Sequence, residues 1–413
     1  MRYFCKKIIY SMIIEFSVKN FKTFREEAKL SLVASKYDKS VRVEGNLTDI
    51  PAFGFQLLKS AAIYGANASG KTKLLEAMGF MQNFMRRSSI HTQLGDPIKV
   101  EPFRLNPQTE KEPSVFELIF VQDNALYRYG FEVTPEKVVA EWLYVRPKTK
   151  EIEVFYREGQ NFEHLHPTYF RIGGKLAKDK IVRENALMLS VAAQFNDVTA
   201  QKVFEFLAKI TILPNSTMDT EGLRLSPHLS VLDFMKAADF GIVDLTIRDN
   251  QLKTLHRKYD AEGNFVGTEE FSMNREESAG TQKYFSLSNP ILDALSTGQI
   301  LVIDELEAHL HPNLVAKIIE LFNSATTNPH HAQLIFNTHD VNLLSADLMR
   351  RDQIWFVEKD RYGAASLYCL ADFKTDLVRK GDNFEQKYLE GRYGAIPYLS
   401  AFDRFLTPQN AVA

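Results

Sequence analysis

Apolar and polar positions alternate with two different periods along the chain. Residues 12–64 contain apolar or alternating runs typical of β-strands: MIIEFSVKNF, AKLSLVAS and LLKSAAIY. Apolar residues then recur at helical spacing, which predicts a helix over 71–87. Residues 99–145 return to strand-like alternation in SVFELIFV, ALYRYGFEV and EWLYVRP, with a turn at Asp123-Asn124.

The second half of the chain divides into two parts. Residues 146–273 mix helical and strand patterns, whereas from 274 onward helices alternate with the apolar runs ILVID, QLIFNTH and QIWFVEK. Such short apolar runs are typical of a buried parallel sheet. We therefore predict an α/β fold with a mixed sheet, made of parts 12–145 and 274–413 with an inserted α/β lobe at 146–273. Residues 1–11 are interpreted as an extension before the first strand.

Composition narrows the functional classes. A length of 413 residues predicts two or three domains, and a net charge of −2 excludes a protein that is basic overall. The two cysteines, Cys5 and Cys369, do not form a CxxC pair, which argues against a disulfide framework or a zinc site. No apolar run reaches the ~20 residues that span a bilayer. We expect a cytoplasmic protein without a membrane segment.

The segment GANASGKT, residues 65–72, carries the strongest chemical signal. It fits GxxxxGK[ST] and lies between an apolar strand and a helix, as a phosphate-binding loop requires. Its backbone N–H groups can cradle phosphates, its lysine can reach the β- and γ-phosphates, and its threonine hydroxyl can bind Mg²⁺. The residues expected to bind ATP here are Gly65, Asn67, Ser69, Gly70, Lys71 and Thr72.

Two further strands end in polar residues. Asp304 and Glu305 follow the apolar run at Ile300–Ile303, where Asp304 can hold Mg²⁺ and Glu305 can polarise the attacking water. His339 follows another apolar run and can hydrogen-bond the γ-phosphate. We predict Glu305 and His339 as catalytic residues.

Two more histidines lie in the sequence LEAHLHP. His309 and His311 have an HxH spacing that is weak as a metal signal. With Pro312 following, they suit a loop that enters a helix.

The segment NREESAGTQKYFSL, residues 274–287, completes the pattern. Alone it resembles a helix N-terminus, with Ser278 as the cap. Its ESAGTQ lies some 22 residues before ILVID, where ABC-type ATPases carry their LSGGQ signature motif. The chain therefore resembles the ABC ATPases of the SMC, RecF and OLD group. NFKTF near the start and EAHLHP after the acidic pair are especially similar to RecF- and OLD-type heads.

This resemblance implies an ATP site shared between subunits. Ser278 and Gly280 would face the γ-phosphate of ATP bound to a partner subunit in a homodimer or higher oligomer. Glu277 stands where the family often has leucine, which would place a carboxylate near phosphate. The family's magnesium-binding glutamine corresponds best to Gln108, with Gln93 as the competing candidate.

Within that group, the chain looks closest to the prokaryotic AAA15 ATPases, the RloA- and AriA-like proteins of anti-phage defence. PSVFELIF, YRYGFEV, EWLYVRP and YLEGRYGAIPYL are similar to that subgroup. About 60 residues follow the last core strand, too few for the Toprim nuclease domain of OLD enzymes. We thus expect an ATPase, using ATP and Mg²⁺, that controls a separate effector such as a Toprim-type nuclease or a toxin.

Two other functions stay open from the sequence. A RecF- or SMC-like repair ATPase would bind DNA directly, and the basic stretch RIGGKLAKDKIVR (171–183) supports it. A solvated helix face explains that stretch as well. A scaffold that holds ATP as a structural ligand is disfavoured by Glu305 and His339.

Overall fold

The protein is represented by a computed structural model. The structure describes residues 10–36, 43–90, 93–214, 229–238, 241–249, 251–373 and 383–397. All but the last two residues of the predicted extension at 1–11 therefore lie outside the described residues. In the described part, two large sheets share one core with helices packed between and beside them.

A six-stranded sheet forms the centre of the molecule. Its order is β11-β15-β16-β5-β17-β18, and every pairing is parallel except that of β17 with β18. Its strands are β5 (Ser60–Tyr64), β11 (Ile210–Leu213), β15 (Ile300–Ile303), β16 (Gln333–Asn337), β17 (Ile354–Lys359) and β18 (Ala365–Cys369). β5, β15 and β16 are buried along their whole length, which explains why their sequences are mostly apolar and do not alternate.

A seven-stranded antiparallel sheet covers one side of this centre. Its order is β10-β9-β8-β7-β6-β1-β2. Its strands are β1 (Ser11–Lys19), β2 (Ala28–Ser31), β6 (Ser114–Gln122), β7 (Ala125–Val133), β8 (Val138–Arg146), β9 (Ile152–Glu158) and β10 (Asn161–Leu165). The predicted turn Asp123-Asn124 is confirmed: both residues have positive φ, 53° and 60°, as a tight two-residue hairpin between twisted strands requires.

Helices pack on both faces of the central sheet and against the seven-stranded sheet. They are α1 (Val43–Asn46), α2 (Lys71–Arg87), α3 (Gly173–Lys178), α4 (Met188–Gln194), α5 (Val198–Leu207), α6 (Leu229–Ala237), α7 (Ala279–Thr297), α8 (Pro312–Phe322) and α9 (Phe384–Leu389). The predicted helix over 71–87 is confirmed as α2, whose apolar face shares a core with both large sheets. α7 and α8 pack on the opposite face of the central sheet.

Two smaller sheets complete the described structure. β3 (Leu47–Ile50) pairs with β4 (Phe55–Leu58), and β12 (Ile242–Arg248), β13 (Gln251–Tyr259) and β14 (Phe265–Ser272) form a three-stranded antiparallel sheet in that order. Residues 146–273 thus supply strands to three sheets, including β11 of the central one. The predicted domain boundaries at 145 and 273 stay predictions.

The predicted α/β fold with a mixed sheet is confirmed by these pairings. Among the described helices, none is long and apolar enough to cross a membrane.

Candidate functional site

The phosphate-binding loop lies in the middle of the central sheet, between the C-terminal end of β5 and the start of α2. Parallel strands β16 and β17 flank β5 there. Gly65 has φ +152°, and a Cβ at that position would lie 2.3 Å from the carbonyl oxygen of Val357. Gly70, with φ +119°, would bring a Cβ within 2.8 Å of Thr23 Oγ1. The backbone can follow this path only with glycine at both positions.

Lys71, the first residue of α2, folds back over the loop. Its Nζ donates hydrogen bonds to the carbonyl oxygens of Gly65 (2.8 Å) and Ala66 (3.1 Å), and lies 3.5 Å from His339 Nδ1. Only 5% of the residue is exposed. Burial lowers the pKa of Lys71 to about 8, although the three carboxylates in residues 304–307, just after β15, raise it. The two carbonyl oxygens are neutral, so a bound phosphate group would give this buried cation an anionic partner that they do not provide.

The acidic end of β15 is joined to the phosphate loop by direct hydrogen bonds. Thr72 Oγ1 donates to Asp304 Oδ1 at 2.9 Å, and Asn337 Nδ2 donates to the same oxygen at 2.5 Å. Asn337 Oδ1 in turn accepts the backbone N–H of Glu305 at 2.6 Å. One buried amide therefore orients both predicted acidic residues.

Asn337 was absent from the site predicted by sequence. It ends β16, and its side chain is fully buried. The available signal was a polar residue at the end of an apolar strand, beside His339.

Glu307 is a second residue of the site that the sequence pattern did not indicate. Its Oε1 accepts the backbone N–H of His339 at 2.6 Å, so the acidic loop, residues 304–311 between β15 and α8, also positions the histidine. Its Oε2 is buried without a hydrogen-bond partner in the described part of the chain. The pKa of His339 is lowered, first by burial and then by the nearby charge of Lys71, which favours a neutral imidazole.

The remaining phosphate-loop residues face different surroundings. Asn67 is exposed, whereas Ser69 is buried and its Oγ has no hydrogen-bond partner among the described residues. Such an orphan hydroxyl within a nest of backbone N–H groups fits an anionic ligand.

A cleft of about 990 Å³ opens beside the loop. It is lined by the loop, by His339, by the end of β17 and the turn after it (residues 357–361) and by Tyr388, Leu389 and Ile396. Its volume lies at the upper end of the range for small-ligand sites in proteins.

The donor set at Thr72 and Asp304 fits a magnesium ion. Mg²⁺ is usually held by one or two carboxylates, with waters and substrate phosphates filling the other positions. The side chains of these two residues already meet at 2.9 Å.

Gln108, the third predicted magnesium ligand, is exposed in the turn before β6, where its backbone N–H bonds Asn106 Oδ1 at 2.9 Å. Its role as a ligand stays a prediction.

The predicted signature segment begins α7. Ser278 is the N-cap, and its Oγ accepts the backbone N–H of Thr281 at 3.1 Å. Gly280 lies against the acidic loop of its own chain, since a Cβ there would come within 2.8 Å of the carbonyl oxygen of His309. The small residue is therefore needed inside one subunit. Contact of Ser278 and Gly280 with a partner's nucleotide stays a prediction.

The HxH segment forms a loop that enters a helix, as predicted. His311 is the N-cap of α8, and its Nδ1 accepts the backbone N–H of Asn313 at 3.2 Å. His309 has φ +66° in the preceding turn.

Two SMC heads are among the solved structures that match the chain, both at low identity. The SMC head domain from Thermotoga maritima has a TM-score of 0.41 and 13% identity, covering 86% of this chain and 98% of that one. An SMC head bound to the C-winged helix domain of ScpA has a TM-score of 0.39 and 13% identity, covering 86% and 97%. No curated protein sequence matches the chain.

A family comparison is more decisive. Residues 60–345 match the family described as "AAA domain, putative AbiEii toxin, Type IV TA system". The match runs from the start of β5 beyond His339 and takes in more than half of the chain. The chain therefore belongs to this family of AAA-type P-loop ATPases.

Proposed function

We propose that the protein is an ATP-hydrolysing ABC-type ATPase that assembles around ATP and controls a separate effector in prokaryotic anti-phage defence. The main support is the hydrogen-bonded connection from Thr72 through the Asp304 carboxylate and Asn337 to the backbone N–H of Glu305. It joins the phosphate loop to the acidic strand end, so that a nucleotide held by one is presented to the other. A purely structural nucleotide site would not require a carboxylate held in this place.

Each side chain has a chemical task in this proposal. Lys71 exchanges its two carbonyl contacts for the β- and γ-phosphates of ATP. Thr72 and Asp304 hold Mg²⁺, which neutralises phosphate charge when bound. Glu305 takes a proton from the attacking water, and neutral His339 donates or accepts a hydrogen bond at the γ-phosphate.

The assembly in this proposal is a head-to-tail pair of copies, or a higher oligomer with the same contact. Ser278 and Gly280 of one copy then meet the ATP on the phosphate loop of the next. The N-terminus of α7 carries partial positive charge, which suits that position. The cleft beside the loop leaves room for such a contact.

The effector in this proposal is a toxin or a nuclease of the Toprim type. The family description names a putative AbiEii toxin of a type IV toxin–antitoxin system, which supports such a partner. The resemblance to the RloA- and AriA-like ATPases supports it independently. Tagged protein purified from its native host with and without ATP should co-purify the effector, identifiable by mass spectrometry.

Mixing two inactive variants tests the shared site. Ser278→Arg should leave ATP binding by each loop intact but abolish ATPase activity, because the bulky cation blocks closure. Lys71→Ala should be inactive because it cannot hold the phosphates. In the mixed dimer one site carries both lesions and the other carries none, so ATPase activity should partly return. Full activity of Ser278→Arg alone would show that this residue is only a helix cap.

Direct DNA binding is the second candidate. Within the basic stretch, Arg171, Lys175, Lys178 and Lys180 are exposed at and around α3. Arg183 instead donates to the carbonyl oxygen of Ser89 at 2.9 Å. DNA affinity that falls steeply with salt, and falls further in a Lys175→Glu/Lys178→Glu variant, would favour this candidate.

A further inference from the structure

The three-stranded sheet leads directly into the signature segment. β14 ends at Ser272, six residues before Ser278, and its carbonyl oxygen accepts the backbone N–H groups of Glu276 (2.9 Å) and Glu277 (3.3 Å). The connection between sheet and α7 is therefore short and closed by hydrogen bonds. Because no long linker separates the sheet from α7, a shift of the sheet also moves the start of the helix.

A buried side-chain cluster makes a second connection. The Glu277 side chain is only 8% exposed, and its Oε1 lies 2.6 Å from His256 Nε2. The hydroxyl of Thr254 donates to the same oxygen. Thr254 and His256 both belong to β13, the middle strand of the sheet. The carboxylate is thus bound to the sheet and held by two donors.

The backbone of Glu277 is held as well. Its carbonyl oxygen accepts Gln282 Nε2 at 2.9 Å, across the first turn of α7. Glu277 therefore contacts the sheet through its side chain and the start of α7 through its backbone. These contacts of Glu277 with β13 and α7, here called the junction, therefore determine the position of Ser278, the next residue.

We propose that Glu277 and His256 are positioning residues that set where the signature segment meets the nucleotide of a second copy of this chain. This inference rests on the shared site of the proposed function. It gives a physical reason for glutamate at the first signature position: the carboxylate is a tether to β13. A buried carboxylate that loses its partners is costly, so the tether favours one placement of Ser278.

Kinetics of single variants separate positioning from nucleotide binding. Glu277→Ala should lower kcat by about tenfold or more, because a misplacement of about 1 Å is enough for such a loss. The KM for ATP should change by less than about twofold, since each subunit's own phosphate loop is untouched. Glu277→Gln should recover most of kcat, because its amide oxygen can still accept from His256. His256→Ala provides a second variant with the same expected loss if Glu277→Ala folds poorly.

A matched control lies on the same sheet. Glu269 of β14 forms an exposed ion pair with Lys258 of β13, with Oε2 and Nζ 2.8 Å apart. Glu269→Ala removes the same atoms from the residue opposite His256 in the strand register without removing any hydrogen bond of Glu277 at the junction, and should leave kcat at the wild-type value. An equal loss in Glu269→Ala would show that any damage to the sheet suffices, and would overturn the specific role of Glu277.

Mixing Glu277→Ala with Lys71→Ala provides the decisive readout. If Glu277 acts on the partner's nucleotide, the mixed dimer contains one site with an intact loop and an intact signature segment, and ATPase activity returns. If Glu277 supports only its own subunit, that loop is damaged too and no activity returns, which overturns the inference. The Ser278→Arg and Lys71→Ala pair separates the shared ATP site from the positioning role of Glu277. If activity returns in that pair but not in the Glu277→Ala and Lys71→Ala pair, only the positioning role is contradicted. No recovery in either pair removes the shared site itself.

Discussion

Lys71 keeps its ammonium inside the phosphate loop, against two carbonyl oxygens and mostly away from water. Burial disfavours the charged form and lowers the pKa to about 8. Below that pH the side chain carries the charge that phosphate requires. Above it, an increasing fraction of the protein holds a neutral amine, which binds phosphate poorly.

ATP affinity should therefore fall as pH rises through about 8. A lysine with the ordinary pKa of 10.5 would keep its charge to a pH about 2.5 units higher, the difference between 10.5 and about 8. The dissociation constant should rise by up to about tenfold per pH unit above 8, because protonation must then accompany binding. Calorimetric titration with ATP between pH 7 and 9.5 measures this directly. An affinity that stays constant to pH 9.5 would contradict the prediction.

Lys59 offers a control for that titration. It precedes β5, is almost fully buried, and its pKa is also lowered to about 8 by burial. It lies at the opposite end of the strand from the loop. A Lys59→Met variant should keep the pH dependence of ATP affinity. If the loss of affinity instead came from general unfolding at high pH, replacing this second buried lysine would change it.

At the scale of elements, a buried ion pair fixes α4 to the seven-stranded sheet. Glu141 of β8 and Arg157 of β9 are both fully buried and joined at 2.9 Å. Glu141 also accepts the backbone N–H groups of Met188 (2.7 Å) and Leu189 (3.0 Å) at the start of α4. The carboxylate lies where the helix dipole is positive and satisfies N–H groups that have no partner within the helix.

Removing this carboxylate should strongly destabilise the fold. Glu141→Ala leaves the Arg157 guanidinium buried without its counterion, and we expect the free energy of unfolding to fall by about 3–5 kcal/mol. Urea denaturation followed by circular dichroism measures the change. The control is Glu151→Ala, which breaks a part-exposed pair with Arg128 and should cost less than about 1 kcal/mol. Similar losses in both variants would refute the anchoring role.

For the whole molecule, the proposed cycle couples ATP to assembly. A closed assembly should persist while ATP stays intact and should open after hydrolysis. Residues that act at the hydrolysis step alone can therefore trap the closed state.

Glu305→Gln is the variant suited to this test. It should bind ATP but slow hydrolysis by about 10²–10⁴, the usual contribution of a positioned general base. With ATP and Mg²⁺, light scattering should show a larger particle for this variant than for wild-type protein after turnover. Lys71→Ala, which should not hold ATP, is the control and should not enlarge. If Glu305→Gln hydrolyses ATP at the wild-type rate, the base is another residue.

The sequence by itself determined the local parts of this protein. The apolar runs within 60–64, 300–303 and 333–337 predicted their strands because strands buried on both faces are mostly apolar and do not alternate. The phosphate loop was predictable because the glycines, lysine and threonine that bind phosphate all lie within eight consecutive residues. Helix α2 followed from periodicity and began at the expected lysine.

Only the tertiary structure decided how distant residues combine. β11 joins the central sheet beside β15, although 86 residues lie between Leu213 and Ile300 and the strand looked like part of an insertion. Glu277 faces the three-stranded sheet, and Asn337 bonds the Asp304 carboxylate and the Glu305 backbone N–H, both more than 30 residues away. Such contacts depend on which strands become neighbours and which way a side chain points. Local periodicity carries neither kind of information, because it records burial and not the identity of the partner.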